Sequence, residues 1–198
     1  MKQLEAPFEE EKIRQLHAGD EVEISGIIYT GRDAVHKYLY DGGQLPEGLV
    51  LENGIIFHCG PVVLKDKAGN WRVAAAGPTT SAREEPYQAD IIKRFRIRGI
   101  IGKGGMGEKT LTACQKYGCV YLHAIGGAAQ VLAEKIVKVR NVYFLEKFGS
   151  PEAIWELEVL RFPAVVTMDA HGVSLHKEIF EKSKAVFDRL ISKDSIKS

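Results

Sequence analysis

The sequence predicts a mixed α/β domain, and three observations carry that expectation. Short apolar runs rich in β-branched residues dominate the first half. A strand, glycine turn and helix then follow one another twice between residues 99 and 136. A long amphipathic helical stretch comes last, with Ile179, Phe180, Ser183, Val186, Phe187, Leu190 and Ile191 in one stripe. No repeat, low-complexity stretch or linker divides the 198 residues, so a single domain over 1–198 with two sheet regions is expected.

Taken in order, the chain opens with a short charged helix. Glu21 to Tyr29 (EVEISGIIY) reads as a strand, with Gly26 suited to a bulge. Asp33 to Leu39 is a short helix stopped by Asp41-Gly42-Gly43. Apolar runs at Gly54 to His58, Val62 to Leu64 and Trp71 to Ala76 are strands, the last entered through a Lys67-Ala68-Gly69-Asn70 turn. Ile91, Ile92 and Phe95 give Tyr87 to Phe95 a helical spacing. Gly99 to Ile101 is a strand, and GKGGMG opens a helix through Leu111 and Cys114. Val120 to Ile125 is a strand; Gly126-Gly127 leads into a helix carrying Ala129, Leu132 and Ile136. Trp155 to Leu160 and Ala164 to Met168 read as two strands broken by Pro163.

Composition narrows the function. Apolar residues at 45% and charged residues at 27% describe a globular chain, not a disordered one. A formal charge of +1 gives no broad field for nucleic acid or an anionic membrane, so neither is an expected partner. An anionic ligand must then be held by a local cluster of cations. The N-terminus is charged and lacks a signal peptide's apolar run, and no stretch has the length of a spanning helix. Cys59, Cys114 and Cys119 follow neither zinc nor disulfide spacing, so they are expected as buried small hydrophobes in a reduced, cytoplasmic protein.

Four stretches can carry chemistry. Gly77-Pro78-Thr79-Thr80-Ser81-Ala82-Arg83 places hydroxyls at a strand end and an arginine four residues after Thr79, on the same face of one helical turn. The plain alternative is a helix cap with a surface arginine. Gly102-Lys103-Gly104-Gly105-Met106-Gly107 resembles a phosphate loop, but Glu108 intrudes before Lys109-Thr110 and would repel a phosphate. A carboxylate held by Lys103 and backbone amides suits it better. Thr30-Gly31-Arg32-Asp33-Ala34-Val35-His36 sets Arg32 and His36 one turn apart, with Asp33 free to cap the helix or pair with Arg32. Tyr121 to Ala129 contains His123, more often a hydrogen-bonded structural residue than a catalyst when alone in a strand.

Together, SGIIYTGRDAVHK, AAAGPTTSAR, IIGKGGMG, VYLHAIGGAA and EAIWELEVLRFPAVVTMDAHGVSLH resemble, in that order, the β subunit or C-terminal domain of class I fumarases and L-tartrate dehydratases. The similarity runs from about Asp20 to about His176. It implies a swivelling β/β/α domain and a division of labour. A larger α subunit, in a heteromer such as α2β2, would hold a [4Fe–4S] cluster whose open iron acts as Lewis acid, and this chain would supply no metal ligand. The resemblance implies Arg32, Arg83 and Lys103 as contacts to a dicarboxylate such as fumarate, malate or tartrate, and Thr79 as the base. Thr80, His36 and Gly104 are candidate supports. A threonine ionises far above neutral pH and needs neighbouring positive charge to act as a base; the choice of Thr79 over Thr80 rests on its spacing to Arg83 and on the resemblance. Two other functions compete: a dicarboxylate-binding module without catalysis, and a nucleotide-binding enzyme, which Glu108 argues against.

Overall fold

The computed structural model describes residues 1–194. Its strands are β1 (Lys2–Ala6), β2 (Glu21–Thr30), β3 (Ile55–Phe57), β4 (Val62–Lys65), β5 (Trp71–Ala75), β6 (Gly99–Gly102), β7 (Val120–His123), β8 (Ile136–Tyr143) and β9 (Ile154–Met168). Its helices are α1 (Glu10–Ile13), α2 (Asp33–Tyr40), α3 (Glu85–Phe95), α4 (Glu108–Tyr117), α5 (Ala129–Ala133), α6 (Leu145–Phe148) and α7 (Leu175–Asp194), with a 3-10 turn at Ser81–Arg83. The expected mixed α/β architecture is what is found. Seven strands form one sheet in the order β1-β2-β3-β6-β7-β9-β8, and β4 and β5 make a separate hairpin.

The large sheet closes on itself. β2 pairs in parallel with β3, β3 with β6, and β6 with β7; β9 then pairs antiparallel with both β7 and β2. Alternation fills both faces. Ile55, Phe57, Ile101, Val120 and Leu122 point into the ring with Ile28, Trp155, Leu157 and Phe162. Ile56, Ile100 and Tyr121 point outward, under Val35, Leu39, Ile91, Ile92, Leu111 and Cys114. Burial on both faces explains why β3, β6 and β7 read as continuous apolar runs.

Several boundaries differ from expectation. Residues 2–6 are a parallel edge strand on β2, burying Leu4 and Ala6 by alternation, and only Glu10–Ile13 is helical. Ile136 does not continue α5; it starts β8, where the β-branched series of IVKVRNVY favours strand. Pro163 does not break β9. Val166 N donates to the Asp20 carbonyl on the β2 side, so by alternation the nitrogen of Pro163 faces the other way. There β8 pairs only as far as Val159 and β7 only from Val165. A missing N–H in that gap forfeits no ladder bond. The irregularity sits instead at Arg161, at φ 52, where the β2–β9 register shifts against Gly26. The apolar stripe of α7 lies on the surface, with Phe180 67% and Phe187 60% exposed. Among the described residues, no helix is long and apolar enough to cross a membrane.

Candidate functional site

β2, β3 and β6 run parallel, so their carboxyl ends emerge at one rim of the ring. Arg32 follows β2, His58 and Gly60 follow β3, and Lys103 follows β6. At this rim β3 and β6 are parted by the segment after β5. Thr79 N donates to the His58 carbonyl (2.7 Å), Lys103 N to the Thr79 carbonyl (3.4 Å), and Ser81 N to the Lys103 carbonyl (3.1 Å). Thr80 and Lys103 form a parallel bridge. The 77–81 segment thus wedges between two strand ends, where an α/β sheet opens the crevice ligands use. Thr79 Oγ1 donates to the same His58 carbonyl (3.0 Å), which turns its lone pairs away from that contact. Thr80 is exposed.

The two arginines meet through one carboxylate. Asp33 Oδ2 is 3.1 Å from Arg83 Nη2 and 3.9 Å from Arg32 Nη2. Arg32 Nε lies 3.4 Å from Glu152 Oε1 but is not aligned to bond it, and remains a buried donor without an acceptor. Glu152 is itself engaged at the start of α2, accepting from Ala34 N (3.0 Å). Gly60 makes room for this arrangement: a Cβ there would lie 2.7 Å from Arg32 Nη1 and 2.6 Å from the Pro151 carbonyl oxygen. Lys103 makes no ion pair with any described residue.

Beneath the rim lies a buried polar network. His36, fully buried, donates from Nδ1 to the Arg32 carbonyl (2.9 Å). Its Nε2 and the Nε2 of His58 each lie 3.0 Å from the side-chain amide of Gln88. Burial lowers the pKa of both imidazoles, so both are neutral at pH 7. Each Nε2 is then an acceptor, and the NH2 end of the amide must face the pair. His58 Nδ1 donates to Ser81 Oγ (2.8 Å), as does the Tyr121 hydroxyl (2.9 Å). This chain joins the backbone of Arg32 to the 3-10 turn that carries Arg83. It also requires Gly102, since a Cβ there would lie 1.8 Å from Ser81 Oγ. His36 is therefore positioned to support Arg32 from below, with no access to a ligand.

The glycine-rich loop departs from one expectation. Two of the backbone donors at the start of α4 are already occupied: Glu85 accepts from Gly107 N (2.8 Å) and Thr110 N (3.3 Å), and from Thr110 Oγ1 (2.7 Å). An internal carboxylate thus takes the Gly107 and Thr110 amides that a phosphate or substrate carboxylate would otherwise use. Gly104, at φ +80, is exposed and approaches only the Thr80 methyl; it shapes the turn beside Lys103. His123, at the end of β7, has a buried Nδ1 without a partner and faces His176 at 5.7 Å between ring centroids. It is not the hydrogen-bonded strand histidine that sequence suggests.

The thiols offer no cradle for an iron–sulfur cluster. Cys59, Cys114 and Cys119 are free and fully buried among apolar side chains, and burial pushes the Cys59 thiol up to about 12. Among the described residues, no three His, Cys, Asp or Glu side chains are grouped as metal ligands.

The structure brings Thr79, Thr80, Lys103 and Gly104 together, and Arg32 with Arg83, all on one rim. Asp33 and Ser81, already noted in their stretches, complete the site with Glu152, His58, Gln88 and Gly60, which the sequence did not single out for it. His-Cys-Gly at 58–60 closely resembles the other strand-end signals, a polar residue and a glycine straight after an apolar run.

Relatives share this layout's sequence along nearly the whole chain. The family model described as "Fumarase C-terminus" matches residues 2–179. A putative fumarate hydratase class I of Geobacillus stearothermophilus is 62% identical over 180 residues, 91% of this chain but 34% of its own length. The chain therefore spans about a third of that relative. A putative L(+)-tartrate dehydratase subunit beta of Methanocaldococcus jannaschii is 42% identical, covering 90% of this chain and 91% of the relative. The L(+)-tartrate dehydratase subunit beta of Escherichia coli is 32% identical, covering 91% and 90%. With a rim of strand-end cations and hydroxyls in place and matches of this extent, the chain belongs to the fumarase C-terminal family, as a β-subunit-type member.

Proposed function

We propose that this chain is the β subunit of a two-subunit class I fumarate hydratase, acting in the cytoplasm on fumarate and L-malate with a cluster-bearing α subunit. The observation that carries the reading is Arg32 Nε, a buried cationic donor without an acceptor among the described residues, on the rim that also carries Arg83, Lys103 and the Thr79 hydroxyl. A buried guanidinium donor left unsatisfied is costly, and a substrate carboxylate would satisfy it.

The chemistry assigned to these residues follows from charge. Arg32 and Arg83 hold one carboxylate of the substrate and Lys103 the other. Loss of a proton from the carbon beside a carboxylate builds negative charge onto it, and the guanidinium fork stabilises that charge. Thr79 Oγ receives the proton. To do so it must first give up to solvent the hydrogen now donated to the His58 carbonyl, and positive charge on the rim would lower the cost of that ionisation. Lewis-acid help to the departing hydroxyl is what a [4Fe–4S] cluster on the partner supplies when bound.

The test is anaerobic fumarate hydration by this chain alone, by the α subunit alone with its cluster reconstituted, and by the two mixed. Activity confined to the mixture is the expected result; activity in this chain without iron would refute the division of labour. The names of the Methanocaldococcus and Escherichia relatives favour L-tartrate as the second substrate to assay in parallel.

A further inference from the structure

Glu84 follows Arg83 directly and stands between the 3-10 turn and α3. Its side chain is fully buried, and neither carboxyl oxygen has a hydrogen-bond partner. One amide atom of Gln88, a turn further along α3, is likewise without one. An ionised carboxylate so placed has only the charges of Arg83 and Arg32 and its own backbone amide to stabilise it, and a buried group in that position tends to take a proton instead. The charged groups that face it are Arg83 on its own turn and Arg32 and Asp33 at the start of α2; the Tyr121 phenol lies on the β7 side. Glu85, next in sequence, is engaged at α4. Burial first, and then Asp33, push the Glu84 carboxyl up to about 7, against the pull of Arg83 and Arg32.

The arginines that draw Glu84 toward its charged form are the two assigned to substrate. A dianion seated on them cancels their field and adds its own. We propose that Glu84 is the charge-balancing group of this site, taking up a proton when a dicarboxylate engages Arg32 and Arg83 and releasing it when the ligand leaves. The inference rests on the reading of Arg32 and Arg83 as substrate contacts. Glu84 acts through them as a positioning residue and does not touch the reacting atoms.

The sign follows from linkage. Binding that takes up a proton is strongest where Glu84 is already protonated, and weakens as pH rises through about 7. For one fully coupled proton the limit is about tenfold in affinity per pH unit. Glu84→Gln keeps the shape and fixes the neutral form, so its affinity should stay at the wild-type low-pH value from pH 6 to 8.5, a range chosen to span about one unit either side of the transition.

Two measurements decide the matter. Calorimetric titration of the assembled enzyme with succinate, a dicarboxylate that cannot dehydrate, in buffers of different ionisation enthalpy counts the protons taken up. Wild type should take up a fraction of a proton per site near neutral pH, and Glu84→Gln none. Infrared spectra of the full chain should show a protonated-carboxyl band that fades as pH rises through neutrality and is missing from Glu84→Gln. A band absent even at mildly acidic pH overturns the proposal, as does an unchanged proton count in the variant. Intact succinate binding with that unchanged count sinks the coupling alone. No succinate binding, with a normal infrared titration, sinks the substrate reading of the arginines and the coupling with it. Should Glu84→Gln fail to fold, Glu84→Met also holds the position neutral and should give the same flat profile.

Discussion

Asp33→Asn removes one charge from the carboxylate that holds Arg83 at 3.1 Å and lies 3.9 Å from Arg32, while keeping its shape. In the free chain Asp33 occupies a guanidinium that the proposed function assigns to substrate, so a dicarboxylate must displace it. The pair is about half exposed on both sides, which discounts it to roughly 0.2–1 kcal/mol. A substrate carboxylate about 5 Å from Asp33 would add a repulsion of about 0.8 kcal/mol at the dielectric of water. Together these terms give about 1–2 kcal/mol, or roughly 5- to 30-fold tighter binding in the variant. The substitution also removes an acidic residue from the first turn of α2, which costs about 0.3–1 kcal/mol of stability. The assay is KM for fumarate and for L-malate in the assembled enzyme, with unfolding followed on the same samples. KM should fall while the melting temperature drops slightly. An unchanged or raised KM would refute the reasoning and show that Asp33 orients the arginines rather than occupying them.

Lys103→Ala should lower kcat/KM by about 10- to 150-fold, the worth of one hydrogen bond to a charged group, with cluster content in the partner unchanged. Full activity in that variant would remove Lys103 from the site. Thr79→Val should lower kcat by about 10²- to 10⁴-fold with KM little changed, and stability by only about 1 kcal/mol for the lost bond to His58. Unaltered turnover would shift the base to Thr80 or to the partner. Gly102→Ala should destabilise the chain by about 1–3 kcal/mol in urea, because its Cβ meets Ser81 Oγ and the Tyr121 hydroxyl. A wild-type midpoint would mean that the buried network yields without cost.

Much of the fold was legible because its strands are apolar on both faces and end in glycine or a polar residue. β2, β3, β6 and β7, with the helices that come after β2, β6 and β7, follow directly from that pattern. β1 was hidden by the charged residues that an edge strand tolerates, and β8 by an exposed lysine and an exposed arginine, Lys138 and Arg140, alternating with its valines. Pro163 misled because the rule against proline in strands assumes a neighbour on the nitrogen side, and β9 has none there. In the site, hydroxyls and cations stand out in a sequence because their chemistry is unusual for an apolar context. Their carboxylate partners do not: nothing near Glu152 or Glu84 announces that one braces Arg32 and the other lies buried behind Arg83. Those roles come from contacts between residues far apart in the chain.

The closure of the sheet by β2 and β9 bears on how the protein is made. β2 leaves the ribosome before β9, and β3 to β8 are all made between them. Until then one long edge of β2, containing Ile24, Ile27 and Ile28, has no partner and can recruit another strand. Pairings of such sequence separation give a high contact order and slow completion of the native state. A nascent chain halted between Lys103 and Ile154 would carry the strands that position Arg32, Thr79 and Lys103 yet lack the strand that closes the ring. The rim residues are therefore made before the closing strand and must wait for it.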